Sequence, residues 1–246
     1  MYISTISTVL IIVFIISLVF PLFMYGLTIK LAGRQAEMDS LTIRKAQFWT
    51  LGFFIFWWGF ASILSSTGIL YGNVLPPRPV LFLVVPFILF LFFVVKRNSV
   101  FKQLFRAIKI ETLINVHIFR LIGSWFLIMA YHDLLPSGFA LRAGWGDIIT
   151  GISALLITYF VFKRKTLSIN WAYAWNIFGL IDILTVVTTA TILTSLAYSN
   201  PESAVGVLEL TKFPFALIPA FAPASIVFLH VITFQKLNEV RKENQL

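Results

Sequence analysis

Residues 47–71 read QFWTLGFFIFWWGFASILSSTGILY, a stretch without a single aspartate, glutamate, lysine or arginine. About 20 consecutive apolar residues are enough to cross the roughly 30 Å hydrocarbon core of a bilayer as an α-helix. Residues 1–29, 79–95 and 213–235 likewise lack all four charged residue types. This pattern predicts an integral membrane protein built from helices.

The composition of the whole chain agrees with this prediction. Of its 246 residues, 59% are hydrophobic and only 12% are charged, whereas soluble domains carry about 25% charged residues. So few charges cannot cover a soluble globule, which excludes soluble enzymes and disordered proteins. The chain contains no cysteine, which excludes disulfides, thiolate metal sites and cysteine nucleophiles.

Three further apolar stretches each hold one ionisable residue that we expect to be buried: Arg120, Asp147 or Asp182. The sequence therefore predicts an all-α, polytopic membrane protein with a bundle of seven transmembrane helices in a single domain over residues 1–246. The predicted helices lie near 5–29, 47–71, 79–96, 111–132, 144–163, 170–198 and 213–236.

The basic residues predict an orientation for this bundle. Successive loops between the predicted helices lie on alternate sides of the membrane. Fifteen lysines and arginines fall in the loops and chain end on one side, and three fall on the other side. Because lysine and arginine concentrate in cytoplasmic loops, we expect the N-terminus outside and the C-terminus in the cytoplasm. The same bias explains the net charge of +9 without a nucleic-acid partner.

Residues 98–110 have the pattern of an interfacial amphipathic helix. Apolar residues recur at helical spacing on one face: Phe101, Leu104, Phe105 and Ile108. Lys102, Arg106 and Lys109 lie between them and are predicted to contact anionic lipid headgroups. A plain topological anchor is the alternative interpretation.

Charged residues within the bilayer must pair, line water or serve a function, because exposing a charge to lipid costs about 2.5–3.5 kcal/mol or more. Arg120 and Asp182 have similar estimated depths on the fourth and sixth predicted helices, so we expect an ion pair between them. This pair either fixes the register of the helices or switches charge in a substrate or proton path. Asp147 is shallower and is expected to meet Arg142, Arg78 or water.

The remaining polar residues of these spans complete the predicted site. Asn176 lies about 120° around the sixth helix from Asp182. His117 and His230 lie at equal depth on the fourth and seventh helices, so they could ligate a b-type haem, start a proton relay or remain separate core residues.

Two prolines, Pro219 and Pro223, lie on one stripe of the seventh predicted helix. Proline lacks a backbone N–H and cannot complete the helical hydrogen-bond pattern. We therefore expect a helix kink at Pro219 and Pro223.

Several phrases between residues 115 and 231 resemble an uncharacterised family of bacterial seven-span membrane proteins. The phrases are Val116-His117-x-Phe119-Arg120-x-x-Gly123, Leu135-Pro136-x-x-Phe139-Ala140, Ala143-Gly144-Trp145-Gly146-Asp147, Trp175-Asn176-x-x-Gly179-x-x-Asp182, Pro219-x-x-x-Pro223 and Leu229-His230. The resemblance implies a bacterial cytoplasmic (inner) membrane as the setting and implies no particular activity.

Four functions remain open from the sequence. The first is binding or transport of a small solute or ion, with proton coupling, in a polar pocket among the fourth to seventh helices. The second is a membrane haem or redox protein that uses His117 and His230. The third is a structural or assembly subunit of a membrane complex. The short chain lacks visible inverted repeats, so a transporter would require a homo-oligomer. An enzyme acting on a lipid-like substrate is supported only by His132 beside Asp133.

Overall fold

The structure is a computed structural model that describes residues 8–202 and 204–243, and these residues form helices and loops with no strand among them. Six helices are long and apolar enough to cross a membrane, and a bent pair raises the number to seven if it is one span. The predicted all-helical bundle of apolar helices is confirmed at this level. Residues 5–7, the predicted start of the first helix, lie outside the described residues. In chain order the helices are α1 (Thr8–Gln35), α2 (Ser40–Ser66), α3 (Val80–Val95), α4 (Ser99–Ala107), α5 (Ile110–Tyr131), α6 (Ser137–Lys163), α7 (Ile169–Ser199) and α8 (Leu217–Glu243).

The start of α2 differs from the prediction because a capping residue sets it. The Asp39 carboxylate accepts hydrogen bonds from the backbone N–H of Thr42 at 2.9 Å and from the Thr42 hydroxyl at 2.6 Å. These bonds hold the pKa of Asp39 below its usual value. The helix therefore begins at Ser40, about two turns before the predicted residue 47.

The limits of α6 and α8 also differ from the predicted ones. α6 begins at Ser137, directly after Pro136, where residue 144 was expected, so Arg142 belongs to the helix. α8 covers Leu217–Glu243, where 213–236 was expected. A charge-free stretch marks the part of a helix that lipid can surround, whereas caps and prolines mark its ends.

A sharp turn separates α3 from α4, whose axes meet at 86°. The Asn98 side chain makes this turn by accepting hydrogen bonds from the backbone N–H groups of Val100 at 3.0 Å and Phe101 at 3.3 Å. α4 buries Leu104 and exposes its basic side chains. It covers most of the predicted amphipathic segment, whose place at a membrane interface stays a prediction.

α8 is the central helix of the bundle. Its buried residues extend from Leu217 to Leu237 and include almost every position between Ala220 and Thr233. α2 is tied to it by the Trp57 indole N–H, which donates to the carbonyl of Ala220 at 2.7 Å. Aromatic rings fill the space between these helices and α3, among them Phe53, Phe54, Trp58, Phe87 and Phe221.

The outer surface of the bundle is apolar. Large hydrophobic side chains of α1, α2 and α7 face outward, among them Val9, Phe23, Phe48, Trp49, Ile63, Ile181 and Ile192. Soluble monomers rarely expose contiguous apolar surface of this extent, whereas helices that satisfy their own backbone hydrogen bonds can face lipid. The fold therefore defines a multi-pass membrane protein.

Candidate functional site

The middle of α5 departs from α-helical geometry where its polar residues lie. Residues Val116–Gly123 form a 3₁₀ helix, in which side chains three residues apart lie directly above one another. His117, Arg120 and Gly123 therefore share one line, and all three are buried. The 3₁₀ segment turns this line towards α6, α7 and α8.

Arg120 is fully buried and bonds to groups on three helices. Its Nε donates to Asp147 Oδ1 of α6 at 2.7 Å, and its Nη2 donates to Asp182 Oδ2 of α7. Its Nη1 lies 3.0 Å from the carbonyl oxygen of Gly179 and 3.1 Å from Nε2 of His230. The guanidinium thus links α5 to α6, α7 and α8.

The hydrogen bonds of His230 assign its tautomer. Because a guanidinium only donates, Nε2 of His230 accepts from Arg120, and Nδ1 carries the proton. Nδ1 then donates to Asn176 Oδ1 at 2.8 Å, while Asn176 Nδ2 donates to the backbone carbonyl of His230 at 3.1 Å. We call Arg120, Asp147, Asn176, Asp182 and His230 the buried cluster.

His117 lies against the buried cluster without a hydrogen bond to it. Its ring is 4.2 Å from that of His230 and 5.2 Å from that of Trp175, measured between centroids. Neither ring nitrogen of His117 has a hydrogen-bond partner among the described residues. The side chain is therefore a buried polar group in contact with the cluster and available to a further proton or water.

As placed here, His117 and His230 do not fit the axial ligands of a haem. An axial pair of histidines holds the iron and its porphyrin between the two rings, whereas these rings contact each other directly. Both nitrogens of His230 are also engaged, by Arg120 and by Asn176.

The expected pair of Arg120 and Asp182 is present, but the expectation for Asp147 is wrong. Asp147 shares the guanidinium with Asp182, and Arg78 instead donates to the carbonyls of Ile69 and Tyr71. Because α6 begins at Ser137 and not near residue 144, Asp147 lies almost three turns into the helix and is deeper than expected.

Pro219 and Pro223 occupy different positions in α8, and a kink at them stays a prediction. Pro219 lies in the first turn of α8, where a backbone N–H has no partner within the helix. The carbonyl of Phe215, four residues before Pro219, accepts from the backbone N–H of Ile218 at 3.0 Å. Of the two, only Pro223 lies beyond the first turn of α8, and the helix continues past it.

Glycines make room for the buried cluster, and the positions of the ionisable residues alone do not predict them. A Cβ at Gly146 would overlap the Asp182 carboxylate, and one at Gly123 would overlap Asp147. A Cβ at Gly179 would lie 2.5 Å from Cε1 of His230. The sequence could have indicated these glycines, because each lies in a quoted phrase together with an ionisable residue one to four positions away.

Two cavities lie outside the buried cluster, and none of its five residues lines either of them. The larger has a volume of about 460 Å³ and lies between α1, α2, α3, α4 and α8. The smaller, of about 70 Å³, lies near the opposite end and is lined in part by Pro219 and Pro223. Of the polar side chains expected to line a pocket, all except His117 bond to one another.

The chain belongs to the family described as a domain of unknown function, DUF8737, whose model matches residues 77–238. The match covers α3 to α7 and most of α8, and it includes every residue of the buried cluster. No curated protein and no solved structure matches the chain.

Proposed function

We propose that this membrane protein binds a proton at the buried cluster and moves it across the bilayer, alone or coupled to a small solute. The observation that carries the proposal is the charge of the cluster. One guanidinium contacts two carboxylates, and the hydrogen bonds of His230 assign it as neutral. With both carboxylates ionised, the cluster would hold one uncompensated negative charge.

An uncompensated charge in a bundle interior is costly, and a group in this position is neutralised where it can be. A proton on one carboxyl balances the cluster. We assign the proton to Asp182, whose side chain is 9% exposed, compared with 7% for Asp147 and 0% for Arg120. Asp182 can therefore exchange a proton while the guanidinium stays in place.

Two features support a path for this proton. The imidazole of His117 contacts that of His230 and keeps both nitrogens open for bonding. The 3₁₀ segment of α5 is longer than the usual three or four residues, and such stretches inside helices often mark hinges. A shift of this segment would move Arg120 relative to its two carboxylates.

The proposed path requires a defined topology. α3 begins beside the end of α2, where Arg78 contacts Ile69 and Tyr71. At the other end, Gln35 of α1 accepts from the backbone N–H of Lys109 at 2.8 Å, and Lys236 of α8 donates to the carbonyl of Arg106 at 2.7 Å. These contacts support α3 as a seventh crossing. The excess of lysine and arginine on the side of α4 favours an N-terminus outside and a C-terminus in the cytoplasm.

Proton flux tests the proposal directly. The purified full chain is reconstituted in vesicles of phosphatidylethanolamine and phosphatidylglycerol loaded with the pH dye pyranine, and a potassium diffusion potential is applied. Wild-type vesicles should change their internal pH faster than empty vesicles. Asp182→Asn should slow this flux by about 10²-fold, at the lower end of the effect of losing a proton-transferring group.

Asp133→Asn is the matched control. Asp133 is exposed, lies outside the buried cluster and has a positive φ that asparagine tolerates, so its flux should equal that of wild type. Equal flux in wild type and Asp182→Asn would reject the proposal. The buried cluster would then serve only to fix the register of four helices.

A further inference from the structure

The larger cavity is apolar and aromatic over most of its wall. Its volume of about 460 Å³ lies within the range of about 300–1,000 Å³ found for small-molecule sites. Few polar side chains reach it. The lining includes Phe53, Phe87, Phe90, Leu104, Ile108 and Phe228.

The cavity opens sideways between α2 and α3. Trp49 and Val94 both line it, yet they are 69% and 53% exposed on the outer surface of the bundle. An opening bordered by exposed apolar side chains of two membrane helices faces lipid. A hydrocarbon chain can therefore enter from the bilayer without crossing water.

The opening lies at the basic end of the bundle. Lys45 is exposed and lies one turn before Trp49 on the same face of α2. Arg97 is exposed, and its guanidinium lies 5.1 Å from the ring centroid of Phe93, beside Val94. Lys102, Arg106 and Lys109 extend this positive surface along α4 and its end.

We propose that this cavity holds an acyl chain of an anionic phospholipid, whose phosphate contacts Lys45 and Arg97. The apolar wall selects the chain, and the two basic side chains select the charge of the headgroup. This inference uses a different part of the molecule from the buried cluster and does not rest on the proposed function.

Native mass spectrometry of the full chain in detergent tests this site. The protein is incubated with dioleoyl phosphatidylglycerol or with dioleoyl phosphatidylcholine, which carry the same acyl chains. Wild type should retain one phosphatidylglycerol at higher occupancy than phosphatidylcholine. Lys45→Gln and Arg97→Gln should each weaken phosphatidylglycerol binding by about fivefold and leave phosphatidylcholine binding unchanged.

Thr28→Phe tests the cavity itself, because Thr28 lines it and the larger ring would fill part of it. This variant should lose both lipids. Leu27→Phe is the matched control: Leu27 is the neighbouring residue on α1, and it faces outward and does not line the cavity. Lys165→Gln is the control for charge, because Lys165 is an exposed lysine in the loop between α6 and α7.

Three results would overturn the proposal. The first is unchanged lipid retention in Thr28→Phe, or in Thr50→Phe should Thr28→Phe fail to fold. The second is equal retention of the two phospholipids by wild type. The third is displacement of phosphatidylglycerol by an equimolar amount of oleate, which would assign the cavity to a free fatty acid.

Discussion

Arg120 joins four helices through one side chain that has no contact with water. Its guanidinium bonds to two carboxylates, one carbonyl and one imidazole. At this scale the stability of the bundle and the chemistry of the site depend on the same bonds. Substitutions that remove the cation and those that remove one anion should therefore differ in their effects.

Replacing Arg120 should lower the free energy of unfolding of the bundle. Arg120→Gln leaves two neighbouring carboxylates without their cation, and breaking a buried pair by removing one partner costs about 3–5 kcal/mol. The free energy of unfolding in detergent measures this loss. The control is Arg142→Gln, an exposed position on α6, and a loss in Arg120→Gln no greater than in this control would contradict the account.

Removing the two carboxylates should be strongly non-additive. Asp147→Asn or Asp182→Asn alone balances the charge of the buried cluster. Each should therefore lower the free energy of unfolding less than Arg120→Gln does. The double variant leaves the guanidinium without an anion. It should lower the free energy of unfolding by more than the sum of the two single changes. Unfolding free energies of the four proteins form the double-mutant cycle, and additive values would refute a shared cation.

The sequence predicts part of this site, and the reason is geometric. Counting residues along a helix gives depth, which was enough to pair Arg120 with Asp182. The estimate depends on where a helix begins, and since α6 begins at Ser137 and not near residue 144, Asp147 is deeper than expected and meets a different partner. The 3₁₀ segment adds to this uncertainty, because it aligns Arg120 with Gly123 rather than with Ser124.

Among the helices, α6 carries small residues where it packs against its neighbours. Gly146, Gly151 and Ala154 are buried where α6 meets α5 and α7, and small residues allow membrane helices to approach closely. Such a stripe is visible in the sequence. Its partners are visible only in the structure, which places the Asp182 carboxylate against Gly146.

A single methyl group at this contact should disturb the buried cluster. Gly146→Ala pushes the Asp182 carboxylate away from Arg120, and overpacking of this kind costs about 1–3 kcal/mol. Gly138→Ala is the control on the same helix, because a Cβ there meets nothing within 4 Å. Thermal unfolding should show a loss for Gly146→Ala and none for Gly138→Ala, and equal midpoints would contradict the packing described here.

In the whole molecule, the buried polar side chains and the larger cavity lie in different places. A pocket was predicted among the polar residues of α5 to α8, but all of them except His117 bond to one another, and the larger cavity lies elsewhere. Its lining comes from five helices, each contributing ordinary apolar residues that no sequence pattern connects. The long apolar helices themselves could be predicted because lipid imposes length and composition on each of them separately.

The topology proposed for the chain can be tested with single cysteines, because the chain has none of its own. Ser168→Cys lies in the loop between α6 and α7, and Glu202→Cys follows α7 at the other end of the bundle. A membrane-impermeant maleimide should label Glu202→Cys in intact cells and label Ser168→Cys only after permeabilisation. The opposite pattern would reverse the proposed orientation.

The most direct test of the central claim is the infrared carbonyl band of a protonated carboxylic acid in the reconstituted protein. At neutral pH the wild type should show this band from the buried cluster, and Asp182→Asn should lack it while Asp133→Asn keeps it. A band absent from wild type at neutral pH, or unchanged in Asp182→Asn, would contradict a proton held at the buried cluster.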